Sequence, residues 1–170
     1  WLTGTAFLHS VMMQEKRGMM KNWNVWLIFS TFMLTILGTL LTRSGIVSSV
    51  HAFAQSDIGN WFYAFILIVF AVCLFTFFKQ RDHLVSENKL ESLVSRESSF
   101  LFNNMVLLAA CFTVMWGTLF PILSEYVQGS KVTVGPPFYN RVKIPIGLFL
   151  HFLTGIGPRL AWRSSGPTAG

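Results

Sequence analysis

Four histidines carry most of the chemical potential of this chain: His9, His51, His83 and His151. A neutral imidazole offers a lone pair to a metal and an N–H to a partner, which makes it the commonest metal ligand. The surroundings separate the four. His9 stands in "WLTGTAFLHS", about six residues before Glu15, or roughly 9 Å along a helix from the first charged side chain. An ionisable group at that depth costs about 2.5 kcal/mol or more when charged, so it faces the protein and has a partner. A metal or haem ligand meets that demand; so does a neutral histidine hydrogen-bonded to a neighbouring helix. His151, mid-segment in "IGLFLHFLTG", carries the same two readings. His83, in "KQRDHLV", is a solvated histidine among charges.

His51 sits differently. Its neighbours in "SGIVSSVHAFAQSDIG" are small and apolar, a composition suited to a short structure lying on a membrane surface or closing over a flat apolar ligand. A haem's axial ligand needs dry cover of this kind, because burial and the surrounding shell set its ligation and potential. Arg43, eight residues earlier, has the guanidinium to pair with a carboxylate such as a haem propionate. The alternative is an interfacial loop with a snorkelling arginine. The sequence contains no GxSxG, no P-loop and no paired carboxylates in an apolar run, so any catalysis would work through a bound cofactor. Cys73 and Cys111 both lie in apolar runs without a CxxC or Cys/His cluster. They read as two buried thiols rather than a disulfide or zinc site.

The elements that must position these groups follow from composition. Of 170 residues, 52% are hydrophobic and 12% charged, about half the charged share of a soluble domain. The net charge of +6 falls in short loops rather than on a basic face interleaved with stacking aromatics, which excludes nucleic-acid binding. The fold class is all-α: a polytopic transmembrane helical bundle in a lipid bilayer. Five apolar segments stand out, at 1–13 (a partial span), 23–41, 61–78, 100–123 and 144–162. A full span takes about 20 apolar residues; the last reaches that length with Gly155 and Gly157 counted. Segments 14–22, 42–60, 79–99 and 124–143 connect them, and 163–170 is a tail. Of 13 Lys and Arg residues, nine fall in 14–22, in 79–99 and at or beyond the C-terminal end of the fifth span (Arg159 and Arg163). The positive-inside rule places those in the cytoplasm and the His51 segment on the periplasmic side. Trp1, Trp23, Trp26, Trp61 and Trp162 lie near segment ends, as interfacial belts require. The stretch "LVSENKLESLVSRESS" is spaced like a short amphipathic surface helix, "GPP" at 135–137 reads as a rigid turn leading into an extended piece, and Gly117 and Pro121 are positions for a kink. With no initiating Met and no basic leader, the chain is expected to be an internal fragment.

The stretches "WLTGTAFLHS", "EKRG…KNWN", "TRSGIVSSVHAFAQS", "SRESSFLFNN", "GTLFPILSE", "VGPPFYNRV" and "TGIGP" together resemble the CcmF/NrfE family, the haem lyase subunits of bacterial cytochrome c maturation. "TRSGIVSSVHAF" is the most specific of them. The resemblance runs in order over almost the whole chain. It implies an inner-membrane protein that accepts haem from a CcmE-type haem chaperone and works with a CcmH-type thiol-handling subunit. The haem is attached to the CxxCH motif of an apocytochrome c through thioether bonds. It further implies a resident haem b ligated by two intramembrane histidines, the first matching His9. His51 matches a periplasmic axial ligand of the haem being transferred. The family's tryptophan-rich segment, its first periplasmic histidine and its second intramembrane histidine have no counterpart in this sequence, and His151 matches none of them. A haem transporter or permease without a bond-forming step is the competing expectation.

Overall fold

The computed structural model describes residues 1–43, 58–86 and 96–159. They form an all-α membrane bundle of five helices: α1 (Leu2–Arg17), α2 (Lys21–Arg43), α3 (Ile58–Gln80), α4 (Arg96–Gln128) and α5 (Pro136–Ile156). Short 3₁₀ turns at Arg81–Leu84 and Gly157–Arg159 follow α3 and α5. The helices lie side by side in the order α3, α2, α1, α4, α5. Among the described residues α1 is therefore the central element, flanked by α2 and α4. The two outermost helices each touch a single helical neighbour, α3 against α2 and α5 against α4.

Local chemistry sets the ends. Gly18 adopts φ 63, the left-handed conformation that ends helices, and its N–H donates to the Gln14 carbonyl at 2.8 Å. Lys16 and Arg17 occupy the last turn of α1, where cations oppose the helix dipole. The chain reverses through Met19 and Met20 and enters α2 at Lys21. The connector expected at 14–22 is thus reduced to three residues, because its charged residues continue the helix rather than break it.

α5 departs further from expectation. Gly135 is the N-cap, Pro136 and Pro137 take the first two helical positions, and the expected extended piece is helix from the start. Proline's fixed φ and missing N–H suit a first turn, where that N–H has no partner anyway. α4 also starts earlier and ends later than the expected 100–123, running unbroken through Gly117 and Pro121. Its 33 residues span about 50 Å against a hydrocarbon thickness of about 30 Å. α2, α3 and α4 are long and apolar enough to cross a membrane. α1 has 16 residues, and α5 opens with Arg141 and Lys143 inside its first two turns. The expected surface helix at 84–94 falls largely outside the described residues.

The bundle is held by small and polar residues. α1 buries Thr3, Ala6, Ser10 and Met13, spaced at three and four residues along one face. Ala6 packs with Leu27 of α2 and Leu107 of α4. Thr3 and Thr31 join hydroxyls at 3.0 Å, Ser10 donates to the Met20 sulfur at 3.7 Å, and Asn24 donates to Gln14 at 2.5 Å. Where lipid replaces water, apolar burial no longer drives helix pairing. Close approach and interhelical hydrogen bonds do.

Candidate functional site

α1 and α4 bring His9 to a small cavity. His9 lies one residue before the buried Ser10, so its ring leans out of the α1–α2 seam toward α4 and remains half-buried. The Asn103 side-chain amide on α4 lies 2.8 Å from His9 Nδ1. One turn earlier, the Phe100 ring packs on the imidazole with centroids 5.8 Å apart, tilted by 53°. Arg96, Ser99, Leu153, Thr154, Gly157 and Pro158 complete a cavity of about 140 Å³. Its far wall comes from the end of α5, held close because Gly157 has no side chain: a Cβ there would sit 2.8 Å from Ser99 Oγ.

Beside this cavity, Arg17 of α1 pairs with Glu97 of α4 at 3.2 Å, with the carboxylate buried and the guanidinium a third exposed. Asn104, next to Asn103, is fully buried, and its amide has no partner among the described residues. Such a group is satisfied by water or by chain beyond them.

The sites expected from sequence fare differently. His9 is half-buried at a cavity, with Nδ1 beside the Asn103 amide and the ring against Phe100. His51 lies outside the described residues. Arg43 is the exposed last residue of α2, at the end of the α1–α2 pair where Trp1 and Leu41 share a separate cavity of about 500 Å³. Arg43 and His9 are therefore not parts of one site. His151 is exposed, with Nδ1 2.7 Å from the Gly147 carbonyl of its own helix. His83 is exposed in its 3₁₀ turn. Cys73 and Cys111 are free and only partly covered, not buried as expected. Among the described residues no cluster of three metal-ligating side chains occurs.

Sequence reading passed over Asn103 and Glu97. Both lie in "SRESSFLFNN", where an asparagine pair within an otherwise apolar segment was the available signal.

A haem-type cofactor is testable against these residues. Metal-bound histidines donate the N–H of their second nitrogen to an acceptor; here the Asn103 side-chain amide is the group beside Nδ1, and Phe100, Leu153 and Pro158 supply apolar wall. The enclosed volume is below the roughly 300–1,000 Å³ of small-molecule sites. The described residues therefore fit one face of such a site.

Fold and site together define a class: a helical membrane protein with a half-buried imidazole at a cavity between helices. No protein-family profile matches the chain. It is 40% identical over 163 residues to "Cytochrome c-type biogenesis protein CycK" of Bradyrhizobium diazoefficiens, covering 96% of this chain and 25% of that protein. It is 40% identical over 166 residues to CcmF of Pseudomonas aeruginosa, covering 97% of this chain and 25% of the relative. The probable NrfE of Escherichia coli is 36% identical over 152 residues, covering 88% and 27%. A solved structure, "Cytochrome c Heme Lyase CcmF", superposes with a TM-score of 0.68 at 31% identity, covering 99% of this chain and 23% of that one. The chain belongs to the CcmF/NrfE family of cytochrome c-type biogenesis proteins, and it spans about a quarter of the length of the relatives it matches.

Proposed function

We propose that this chain is the haem-handling membrane core of a protein that attaches haem covalently to apocytochromes c. The observation that carries the reading is His9: an imidazole within the membrane segment, held at one nitrogen and lining a cavity between α1, α4 and α5. Relatives at 36–42% identity are named cytochrome c-type biogenesis proteins, which supports the same reading. In it, His9 would be one of the histidines that hold a resident haem b. When bound, that haem supplies one-electron redox chemistry. His51 ligates the haem that is the substrate, and Arg43 neutralises one of its propionates. Attachment itself adds a cysteine S–H across each haem vinyl C=C, so it forms a thioether without an external oxidant.

The loops carrying most of the Lys and Arg face the cytoplasm of a bacterial inner membrane, and the His51 segment faces the periplasm. A CcmE-type chaperone, a CcmH-type thiol-handling subunit and the apocytochrome are the partners this chemistry requires. One supplies haem, one keeps thiols reduced and one receives the bond.

The test is the pyridine haemochrome spectrum of the full-length protein carrying this chain, purified from membranes, beside its His9→Ala variant. A b-type haem present in the parent and lost in the variant is expected. A parent without haem, or a variant that retains all of it, would make His9 a packing histidine. Co-expression with an apocytochrome then separates lyase from permease: thioether-linked haem forms only for the lyase.

A further inference from the structure

We propose that Asn103 is a positioning residue that sets the tautomer of His9 and so decides whether its ring can act as a ligand. The inference rests on the reading of His9 as a haem ligand and adds a residue to that site. Asn103 and His9 stand 94 positions apart in sequence, and their side chains meet across the α1–α4 seam with the amide 2.8 Å from Nδ1. A neutral imidazole has one N–H and one lone pair. Whatever binds Nδ1 therefore dictates what Nε2 offers.

Asparagine is unusual in carrying a donor and an acceptor on one rotatable end. With its NH₂ toward the ring, as in this structure, the amide donates to Nδ1, the proton resides on Nε2, and the ring presents a donor to its surroundings. A half-turn of the amide puts Oδ1 there instead. Nδ1–H then donates to Asn103, and the Nε2 lone pair is free for iron. The proton moves from Nε2 to Nδ1 in this exchange, with no net gain or loss. Metal-bound histidines donate their second N–H in the same way, and removing the acceptor typically costs 10–100-fold in metal affinity. Phe100 restrains the ring while the amide turns. Arg96 lines the same cavity as a positive charge.

Two variants of the full-length protein test this, with haem content, midpoint potential and thermal unfolding read together. N103L removes the partner and keeps an apolar side chain of similar length. It should weaken haem retention by about 10–100-fold while unfolding at the parent's temperature. N103D provides a fixed acceptor for Nδ1–H. It should retain haem and shift the midpoint potential downward, because a stronger acceptor makes the imidazole a better electron donor to ferric iron. If both variants keep the parent's haem content and potential while His9→Ala loses its haem, the proposal is overturned and the reading of His9 stands. If N103D loses haem as N103L does, Asn103 is a packing residue and the proposal is also overturned. A parent without haem, or a His9→Ala variant that keeps it, overturns the underlying reading instead.

Discussion

α1 and α3 are both membrane helices, yet they use their side chains in opposite ways. α3 is the more apolar, with Phe65, Leu67, Ile68, Phe70, Val72, Phe75 and Phe78 all exposed and none of its described side chains buried. α1 is shorter and more polar, and it holds the centre of the bundle through Thr3, Ala6, Ser10 and Met13. In water the order would be reversed. In lipid the tails are as apolar as leucine, so hydrophobic side chains gain little by turning inward, while small residues allow backbones to approach and polar ones need partners. The candidate site lies on α1 for the same reason. An imidazole, an asparagine and an ion pair have to be inside, and among the described residues α1 is the central helix, between α2 and α4.

The largest expected effect is at the ion pair beside the site. Arg17→Ala leaves Glu97 buried without its guanidinium partner, and it should destabilise the protein by about 3 kcal/mol. That is the low end for a broken buried pair, because Arg17 is itself a third exposed. Unfolding in mixed detergent micelles measures it, and a cost no larger than that of Glu97→Gln would mean that the pair is solvated.

Next comes Gly117 on α4. A Cβ there would overlap the Tyr139 ring of α5, whereas Gly147 has open space around it. Gly117→Ala should cost about 1–3 kcal/mol by overpacking and Gly147→Ala should lie within about 0.5 kcal/mol of the parent. Equal effects would show that helix propensity, not the α4–α5 contact, matters at both.

A smaller effect is expected from Thr31→Val, which removes the hydroxyl contact to Thr3 and should cost about 0.6 kcal/mol, the average for such bonds within membranes. The smallest is on α3: Ile68→Ala, at a residue 62% exposed, should change stability by no more than about 0.5 kcal/mol. If it costs above about 2 kcal/mol in the full-length protein, α3 packs against further protein there. The contrast between α1 and α3 would then belong to this part of the chain alone.

Particular residues show how far sequence reading reached. The apolar runs around α2 and α3 were legible to within three residues at each end, since long hydrophobic stretches bounded by charges or small polar residues have few alternatives. α4 and α5 were misjudged at their ends, because "SRES" and "GPPFYNRVK" look like loop by polarity while serving as first turns. His9 and His151 were indistinguishable by depth, both lying amid apolar residues. Depth measures position along a helix and says nothing of direction around it. Among the described residues α1 has a neighbour on the side His9 faces, and α5 has none where the exposed His151 points.

What the sequence by itself determined is the all-α class, the apolar segments and the short list of imidazoles, because hydrocarbon leaves a chain only helices to satisfy its backbone and makes every ionisable group conspicuous. The tertiary structure alone decided that α1 is central among the described helices and that α4 rather than α2 supplies the partner of His9. Those are matters of which helix lies beside which, and they are settled by small-residue packing and single hydrogen bonds between segments up to 94 residues apart, which leave no periodic trace in the chain.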